Sequence, residues 1–133
     1  MPAMIDKVAW VLVSGGTILC SRNHGRDLFY LPGGRREAGE SDLQTLVREV
    51  REELGVTIVA GTESHVGTFE AEAHGRPPGT RVTMTCYTAD HHGTPHPDTE
   101  IAELAWFGYA DRDRVSAADR LVFDHLHAAG QLP

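Results

Sequence analysis

Apolar runs and turn signals alternate along the first part of the chain. Residues 7–13, KVAWVLV, are rich in β-branched and aromatic types and predict a buried strand. A hairpin turn is indicated at Ser14-Gly15-Gly16, with the return strand at residues 17–20. Beyond it the pattern predicts a polar loop at residues 21–27, a short apolar run at 28–31, and a break in regular structure at Pro32-Gly33-Gly34.

A helical period follows this break. Ser41 with Gln44 three residues later is a capping-box pattern, and Gly55 suits the position just past a helix end. Between these caps the apolar residues recur at helical spacing: Leu43, Leu46, Val47, Val50 and Leu54. The pattern predicts an amphipathic helix that begins after Ser41 and ends before Gly55.

The second half of the chain is typical of strands followed by one more helix. Strands are predicted at residues 56–60, 64–71, 82–89 and 103–109, with a hairpin tip at 74–80 and a longer loop at 91–98. Ala117, Leu121, Val122, Leu126 and Ala129 then recur at helical spacing, which predicts a second amphipathic helix over residues 116–129. The absence of linkers and repeats indicates a single α/β domain over residues 1–133.

Composition narrows the classes of partner. The chain has 133 residues, 12 of them Lys or Arg and 19 Asp or Glu, for a net charge of −7. A nucleic-acid polymer is an unsuitable partner for such an acidic protein, although bound cations would let it handle small phosphates. Cys20 and Cys86 are too few for a disulfide framework and are interpreted as free thiols. No signal peptide or membrane span is visible, so a cytoplasmic location with no membrane partner is expected.

Three glutamates of the predicted helix share one face. At about 100° per residue, Glu49, Glu52 and Glu53 fall on one arc of the helix, beside its apolar face. Divalent cations would stabilise such a cluster, since carboxylate oxygens are the ligands that Mg²⁺ and Mn²⁺ prefer. Arg48 and Arg51 on neighbouring faces favour an ordinary solvated helix equally well. The stretch from Arg48 to Gly55 alone leaves both interpretations open.

Residues before the helix decide between a metal site and an ordinary solvated helix face. The segment from Gly34 to Val56, GRREAGESDLQTLVREVREELGV, matches Gly-x5-Glu-x7-Arg-Glu-U-x-Glu-Glu-x-Gly-U at every specified position, where U is aliphatic. This pattern is the signature box of the Nudix hydrolases, and the chain resembles that family. The chain length, the LPGG before the box and the late EIAELAWF segment are similar to MutT-like members. The resemblance implies the Nudix fold, a mixed β-sheet sandwiched between helices (α/β/α), in which the box forms a loop–helix–loop.

The resemblance also implies roles for residues of the box. Nudix hydrolases use Mg²⁺, or Mn²⁺ in its place, to hydrolyse a nucleoside diphosphate linked to another group. The metal ligands carry over to Glu49, Glu52, Glu53 and the carbonyl of Gly33, and Glu49 and Glu52 count as catalytic. Arg48 would orient the acidic residues, and Gly34, Glu40 and Gly55 would be structural. The general base is either a box glutamate or a distant one, here Glu100, six residues before Trp106, with Glu103 as its rival.

Four residues outside the box are candidate substrate contacts. Arg26 and Arg81 either bind phosphate or are ordinary surface arginines. Phe29, with Tyr30, Phe69 and Tyr87, either stacks on a base or belongs to the core. Asp119 either reads a base edge, as residues near this point do in some relatives, or is a first-turn acid of the last helix. Histidines 91, 92 and 96 are interpreted as part of a solvated loop.

Sequence motifs typical of several Nudix subfamilies are missing, which narrows the range of expected substrates. The proline of ADP-ribose pyrophosphatases, the tyrosine of diadenosine polyphosphate hydrolases and the SQPWPFPxS array of NADH pyrophosphatases are all absent. The expected activity is therefore a (d)NTP pyrophosphohydrolase of MutT type. Another nucleotide-linked substrate, such as a nucleotide sugar or ADP-ribose, and a non-catalytic nucleotide sensor are the alternatives. The physiological substrate, the phosphorus attacked, the number of metal ions and a homodimeric state are left open.

Overall fold

The strand at the centre of the computed structural model, β1 (Met4–Trp10), sends alternate side chains to two hydrophobic clusters. Val8 and Trp10 are fully buried in one cluster, and Ala9 is fully buried in the other. This alternation follows from the two-residue period of a strand whose two faces are both covered. The core therefore has two layers, one on each side of β1.

The structure describes residues 3–133. Its other strands are β2 (Val13–Ser14), β3 (Thr17–Asn23), β4 (Gly33–Arg35), β5 (Thr57–Ile58), β6 (Ser64–Glu72), β7 (Arg81–Thr88), β8 (His91–His92) and β9 (Ile101–Phe107). The helices are α1 (Asp42–Leu54), α2 (Ala117–Ala128) and a 3-10 helix, Tyr109–Arg114, that precedes α2.

The strands form one mixed sheet and two smaller sheets. The main sheet has the order β4-β1-β7-β6, in which β1 is parallel to β7 and antiparallel to β4. The smaller sheets, β2-β3-β9 and β5-β8, are antiparallel. Helix α1 contributes Leu46, Val50 and Leu54 to one cluster, whereas α2 contributes Val122, Phe123 and Leu126 to the other. The predicted α/β sandwich is confirmed.

Helix α1 begins and ends where its caps predict. The Ser41 hydroxyl accepts a hydrogen bond from the Gln44 amide at 3.1 Å, and the Gln44 side chain accepts one from the Ser41 amide at 2.9 Å. Gly55 adopts the left-handed conformation, with φ of 69°, and its N–H donates to the Arg51 carbonyl. Both ends of the helix are therefore fixed by local interactions.

Several predicted boundaries were wrong because strand pairing overrides local signals. Residues 21–23, predicted as loop, extend β3, since they pair with β9 as far as Asn23 opposite Ile101. The stretch expected to break regular structure instead forms β4 on the edge of the main sheet. Two histidines of the predicted loop form β8 against β5. The 3-10 helix before α2 was not predicted, and β9 begins at Ile101 rather than Glu103.

Two further predictions concern the cysteines and the membrane. Cys20 and Cys86 are both free and fully buried, as predicted. Burial raises the pKa of both thiols well above the usual range. Among residues 3–133, no helix has the length and apolar character needed to cross a membrane.

Candidate active site

Arg48 lies at the centre of the charged network of α1. Its guanidinium donates two hydrogen bonds of 2.8 Å to the two carboxylate oxygens of Glu40. It also donates to Glu49 at 2.7 Å and to the backbone carbonyl of Arg35 at 3.0 Å. Such a planar, multidentate pattern is available to arginine but not to lysine. Arg48 thus ties the chain before the helix to a carboxylate on the helix.

Glu40 receives two more hydrogen bonds in addition to those from Arg48. The Glu37 amide donates to it at 2.8 Å and the Thr45 hydroxyl at 3.1 Å. Hydrogen bonds from Arg48, followed by the other donors, lower the pKa of Glu40 to about 2. With its oxygens engaged in this way, Glu40 has the contacts of a structural residue that holds the loop before α1.

Removing the charge of Glu40 should change how stability depends on pH. The Glu40 pKa is lower in the folded chain than the value of about 4.3 expected when unfolded, so its contribution is complete above that value. The contribution is lost as pH falls from about 5 toward 2. The free energy of unfolding should therefore differ most between wild type and Glu40→Gln at pH 7, by less at pH 3, and the two should converge only toward pH 2 in urea titrations.

Glu63→Gln, measured in parallel, controls for the loss of one negative charge. A difference between wild type and Glu40→Gln that stays the same at both pH values would contradict the assignment.

Glu53 is held against the edge strand of the main sheet. Its carboxylate accepts a hydrogen bond from the Gly33 amide at 2.9 Å. Burial raises the pKa of Glu53 to about 7, and the charges of Glu49 and Glu100 add to the rise, opposed by the Gly33 hydrogen bond and Lys7. Three carboxylates therefore act on one another electrostatically at this point. Bringing a cation among them would relieve that repulsion.

Two glycines of β4 make room for neighbouring groups. A β-carbon on Gly33, whose φ is 149°, would lie 2.1 Å from the carbonyl oxygen of Val8. A β-carbon on Gly34 would lie 2.4 Å from the carboxyl carbon of Glu49. Val8 and Glu49 thus occupy the space that a side chain at either position would need. The glycines therefore let the α1 carboxylates lie directly against β4.

The residues of α1 fit a divalent cation in chemical type. Glu49, Glu52 and Glu53 supply hard oxygen donors, which suit Mg²⁺ or Mn²⁺. As positioned in residues 3–133, no three His, Cys, Asp or Glu side chains already form a group able to hold a metal. The reason is that Glu49 turns to Arg48 and Glu53 to the Gly33 amide, while the Glu52 side chain is 62% exposed and lies 3.7 Å from Arg48.

A cavity of about 210 Å³ opens beside these carboxylates. Gly33, Gly34 and Glu53 line it from β4 and α1, and Arg26, His74 and Arg76 line it from the loop after β3 and the β6–β7 hairpin. The His74 ring also lies 2.9 Å from the Asp27 carboxylate, between Nε2 and Oδ1. Apolar side chains complete part of the lining: Ile5, Leu31, Ala73, Val82, Met84 and Ala118. A phosphate end and an apolar body of a ligand would both find suitable surfaces here.

Four cationic side chains line this cavity: Lys7, Arg26, Arg35 and Arg76. Across residues 3–133, the ion pairs of the structure involve none of these four. Unpaired cations around one cavity of an acidic protein favour an anionic ligand. The sequence predicted only Arg26 of these four; the signal for Lys7 was a lysine at the start of the otherwise apolar KVAWVLV run.

The remaining predicted substrate contacts divide into two groups. Asp119 is buried in the cavity wall, where it accepts hydrogen bonds from the Leu31 amide and the Ser116 hydroxyl. Burial raises the pKa of the Asp119 carboxyl, with Lys7 opposing. Phe29, by contrast, lies in the core against Phe107, and its neighbour Tyr30 lines the cavity in its place.

Arg81 also lies outside the cavity lining. It is at the start of β7, and its guanidinium pairs with Glu70 at 3.0 Å. A phosphate contact from this residue is therefore not supported by its position. Arg26 is the arginine of the predicted pair that the structure brings to the cavity.

The two candidates for the general base are in different surroundings. Glu103 is on β9, opposite Arg22, and accepts a hydrogen bond from that guanidinium at 3.1 Å. Glu100 is exposed in the turn before β9, and its charge contributes to the raised pKa of Glu53. Glu100 is thus the candidate whose charge acts on the carboxylates of α1.

A family model described as the NUDIX domain matches residues 5–126 of the chain. The CTP pyrophosphohydrolase of Escherichia coli K12 is 36% identical over 77 residues, which cover 55% of this chain and 56% of that protein. The match thus spans only a little over half the length of that relative.

Solved structures resemble nearly the whole chain. The solution structure of the E. coli ORF135 protein has a TM-score of 0.76 and 29% identity, covering 97% of this chain and 92% of that one. The MutT NUDIX hydrolase from Burkholderia pseudomallei has a TM-score of 0.75 at 20% identity, covering 92% and 98% of the two chains. At the latter identity the likeness concerns the fold alone.

Proposed function

Because this chain belongs to the Nudix hydrolase family, we propose that it hydrolyses nucleoside triphosphates with Mg²⁺ as a pyrophosphohydrolase of MutT type. One observation carries the proposal: the α1 carboxylate of Glu53 lines a cavity together with four cationic side chains that form no ion pair within residues 3–133. The carboxylates offer ligands for a divalent cation, and the cations offer partners for phosphate oxygens.

The phosphate chain is assigned to the end of the cavity next to β4. Lys7 and Arg35 are directly opposite each other in the β1–β4 pair, and both line the cavity beside the two glycines. Within residues 3–133 neither side chain forms an ion pair with a carboxylate that it would have to give up before it binds phosphate. Glu49, Glu52, Glu53 and the Gly33 carbonyl would hold the cation, which when bound neutralises phosphate charge and makes water easier to ionise.

Glu100 is proposed as the group that accepts the proton of the attacking water. As the water oxygen forms its bond to phosphorus, the bridging P–O bond breaks and the leaving phosphate group takes the electron pair. The proton passes to the Glu100 carboxylate. Arg48 holds Glu49 and the loop before α1, so its proposed role is orientation of the acidic residues.

The nucleobase is assigned to the part of the cavity between Tyr30 and Asp119. Tyr30 lines this part of the cavity, and Lys7 Nζ lies over its ring, 5.3 Å from the ring centre; once Lys7 turns to a phosphate, that face is free to stack on a base. A carboxylate suits the amino group of cytosine, and arginines suit its carbonyl oxygen. Asp119 together with Arg26 and Arg76 supplies this combination, which supports CTP, the compound in the name of the E. coli relative, as the first substrate to test.

The test is a panel of nucleotides assayed with Mg²⁺ and with a chelator. The panel contains CTP, the other (d)NTPs and their oxidised forms, ADP-ribose and a nucleotide sugar, with phosphate and pyrophosphate measured separately. We expect turnover of triphosphates that stops when the metal is removed. Preferential turnover of ADP-ribose or a nucleotide sugar would support the alternative substrates. Binding of nucleotides without turnover of any would favour a sensor.

Asp119→Asn should change the preference among pyrimidine nucleotides. The asparagine amide can donate to the O4 carbonyl of uracil, which the carboxylate cannot do, and it accepts less well from the cytosine amino group. The ratio of kcat/KM for CTP to that for UTP should therefore fall about tenfold, in line with about 1–3 kcal/mol for a good base-edge pair.

The matched control is Asp113→Asn, which removes an acid that is exposed to solvent. Its CTP to UTP ratio should equal that of wild type. An unchanged ratio in Asp119→Asn would remove Asp119 from the base site.

A further inference from the structure

The segment between β8 and β9, residues 93–100, is tied to the end of α1. The His96 amide donates to the Leu54 carbonyl at 3.0 Å, and the Asp98 amide donates to the Glu53 carbonyl at 3.0 Å. The last carbonyls of a helix have no partner within the helix, so these two bonds satisfy groups that need one. The path of the segment is consequently fixed relative to the turn of α1 that carries Glu53.

The His96 side chain occupies the space over Gly55. A β-carbon on Gly55 would lie 2.2 Å from Cε1 of the His96 ring, far inside van der Waals contact. Nδ1 of the ring also lies 3.3 Å from the carbonyl oxygen of Thr94. Gly55 is therefore required twice, once for its left-handed φ of 69° and once for the ring that lies on it. Only the first requirement comes from the helix itself.

The same segment ends at Glu100 in a tight turn. The Asp98 carboxylate accepts hydrogen bonds from the Thr99 amide and hydroxyl, at 2.8 and 3.1 Å, and the Asp98 carbonyl accepts one from Ile101 at 2.7 Å. On its other side, the Glu100 carbonyl accepts a hydrogen bond from the His24 amide at 3.1 Å. Glu100 is thus held two residues from the bond between Asp98 and Glu53.

We propose that His96, seated over Gly55, is a positioning residue that sets where Glu100 stands relative to the carboxylates of α1. His96 does not line the cavity, so it acts through the segment and not by touching substrate. The proposal rests on the proposed function in one respect, namely that Glu100 is the base.

Gly55→Ala is the substitution that tests the contact, with Gly61→Ala as its matched control. Gly61 also has a positive φ, 93°, but a β-carbon there would meet nothing within 4 Å. Both variants thus carry backbone strain, and only Gly55→Ala pushes on His96. We expect kcat of Gly55→Ala to fall at least about tenfold with KM within about twofold, since a small misplacement of a reacting group suffices. Gly61→Ala should keep the wild-type kcat.

Substitutions of His96 complete the set. His96→Ala should lower kcat about fivefold, and His96→Phe, which keeps a planar ring over Gly55, should restore it to within about twofold of wild type. The double variant Gly55→Ala/His96→Ala should lose less than the product of the two single losses, because both break the same contact. A double variant whose loss in kcat equals the product of the two single losses would overturn the proposal. So would a kcat of Gly55→Ala equal to that of Gly61→Ala.

Amide hydrogen exchange gives a readout that does not depend on turnover. The amides of His96 and Asp98 should exchange faster in Gly55→Ala than in wild type and remain protected in Gly61→Ala. Unchanged protection of these amides in Gly55→Ala would contradict the proposal that His96 holds the segment, even if activity fell. If wild type hydrolyses no nucleotide, the proposed function fails, and the exchange experiment still decides whether His96 holds the segment.

Discussion

Glu53→Gln should lower turnover by at least about a hundredfold while the protein remains folded. Glutamine has the shape of glutamate and can still accept the hydrogen bond from the Gly33 amide, so the packing against β4 is kept. What disappears is the negative charge that would hold a cation beside the phosphates. Glu52→Gln should have a similar effect, although Glu52 is exposed and has little to lose in stability.

Steady-state kinetics with saturating Mg²⁺, together with circular dichroism, measures both effects. Glu63→Gln serves as the control, because Glu63 accepts a hydrogen bond from the Gly61 amide and is not among the residues that line the cavity. The control should keep wild-type activity. Near-normal turnover in both Glu52→Gln and Glu53→Gln would refute the assignment of this face to the metal.

The second large effect is expected at Glu100. Glu100→Gln should lower kcat by about a hundredfold, the lower end of the range of about 10²–10⁴ for general acid–base catalysis, because glutamine cannot accept the proton of the attacking water. Its backbone bond with His24 does not involve the side chain and should survive. KM should change little, since Glu100 does not line the cavity.

Glu103→Gln provides a closely matched comparison on the same strand region. Glu103 is paired with Arg22 on the sheet, so its loss should alter kcat only slightly. Measuring kcat of both variants on the best substrate of the panel shows which substitution causes the larger loss. A larger loss in Glu103→Gln than in Glu100→Gln would reverse the assignment.

The elements that could be predicted from the sequence are those whose signals are local. Helix α1 is the clearest example, because Ser41, Gln44 and Gly55 fix its ends through contacts within a few residues. Strand β4 could not be found in this way. Its glycines signal a break locally, and only pairing with β1, far away in sequence, makes it a strand.

A similar limit applies to the site. The acidic residues of α1 were visible because their spacing is set by the helix and by the box. Phe29 and Tyr30 are adjacent in sequence but face the core and the cavity, and a shift of one residue exchanges those roles. His96 carried no signal at all, since its importance depends on a glycine that is close to it only in the folded chain.

The parallel pairing of β1 with β7 has a consequence for the order of folding. Met4 is opposite Arg81 and Trp10 is opposite Tyr87, so the central pair of the main sheet joins segments that are distant in sequence. During synthesis, α1 and the β2–β3 hairpin can form early from local contacts, whereas β1 must wait until β7 has left the ribosome. Until then the apolar face of β1 has no parallel neighbour, and this is the stage at which a nascent chain would be most exposed to misassembly and most in need of a chaperone.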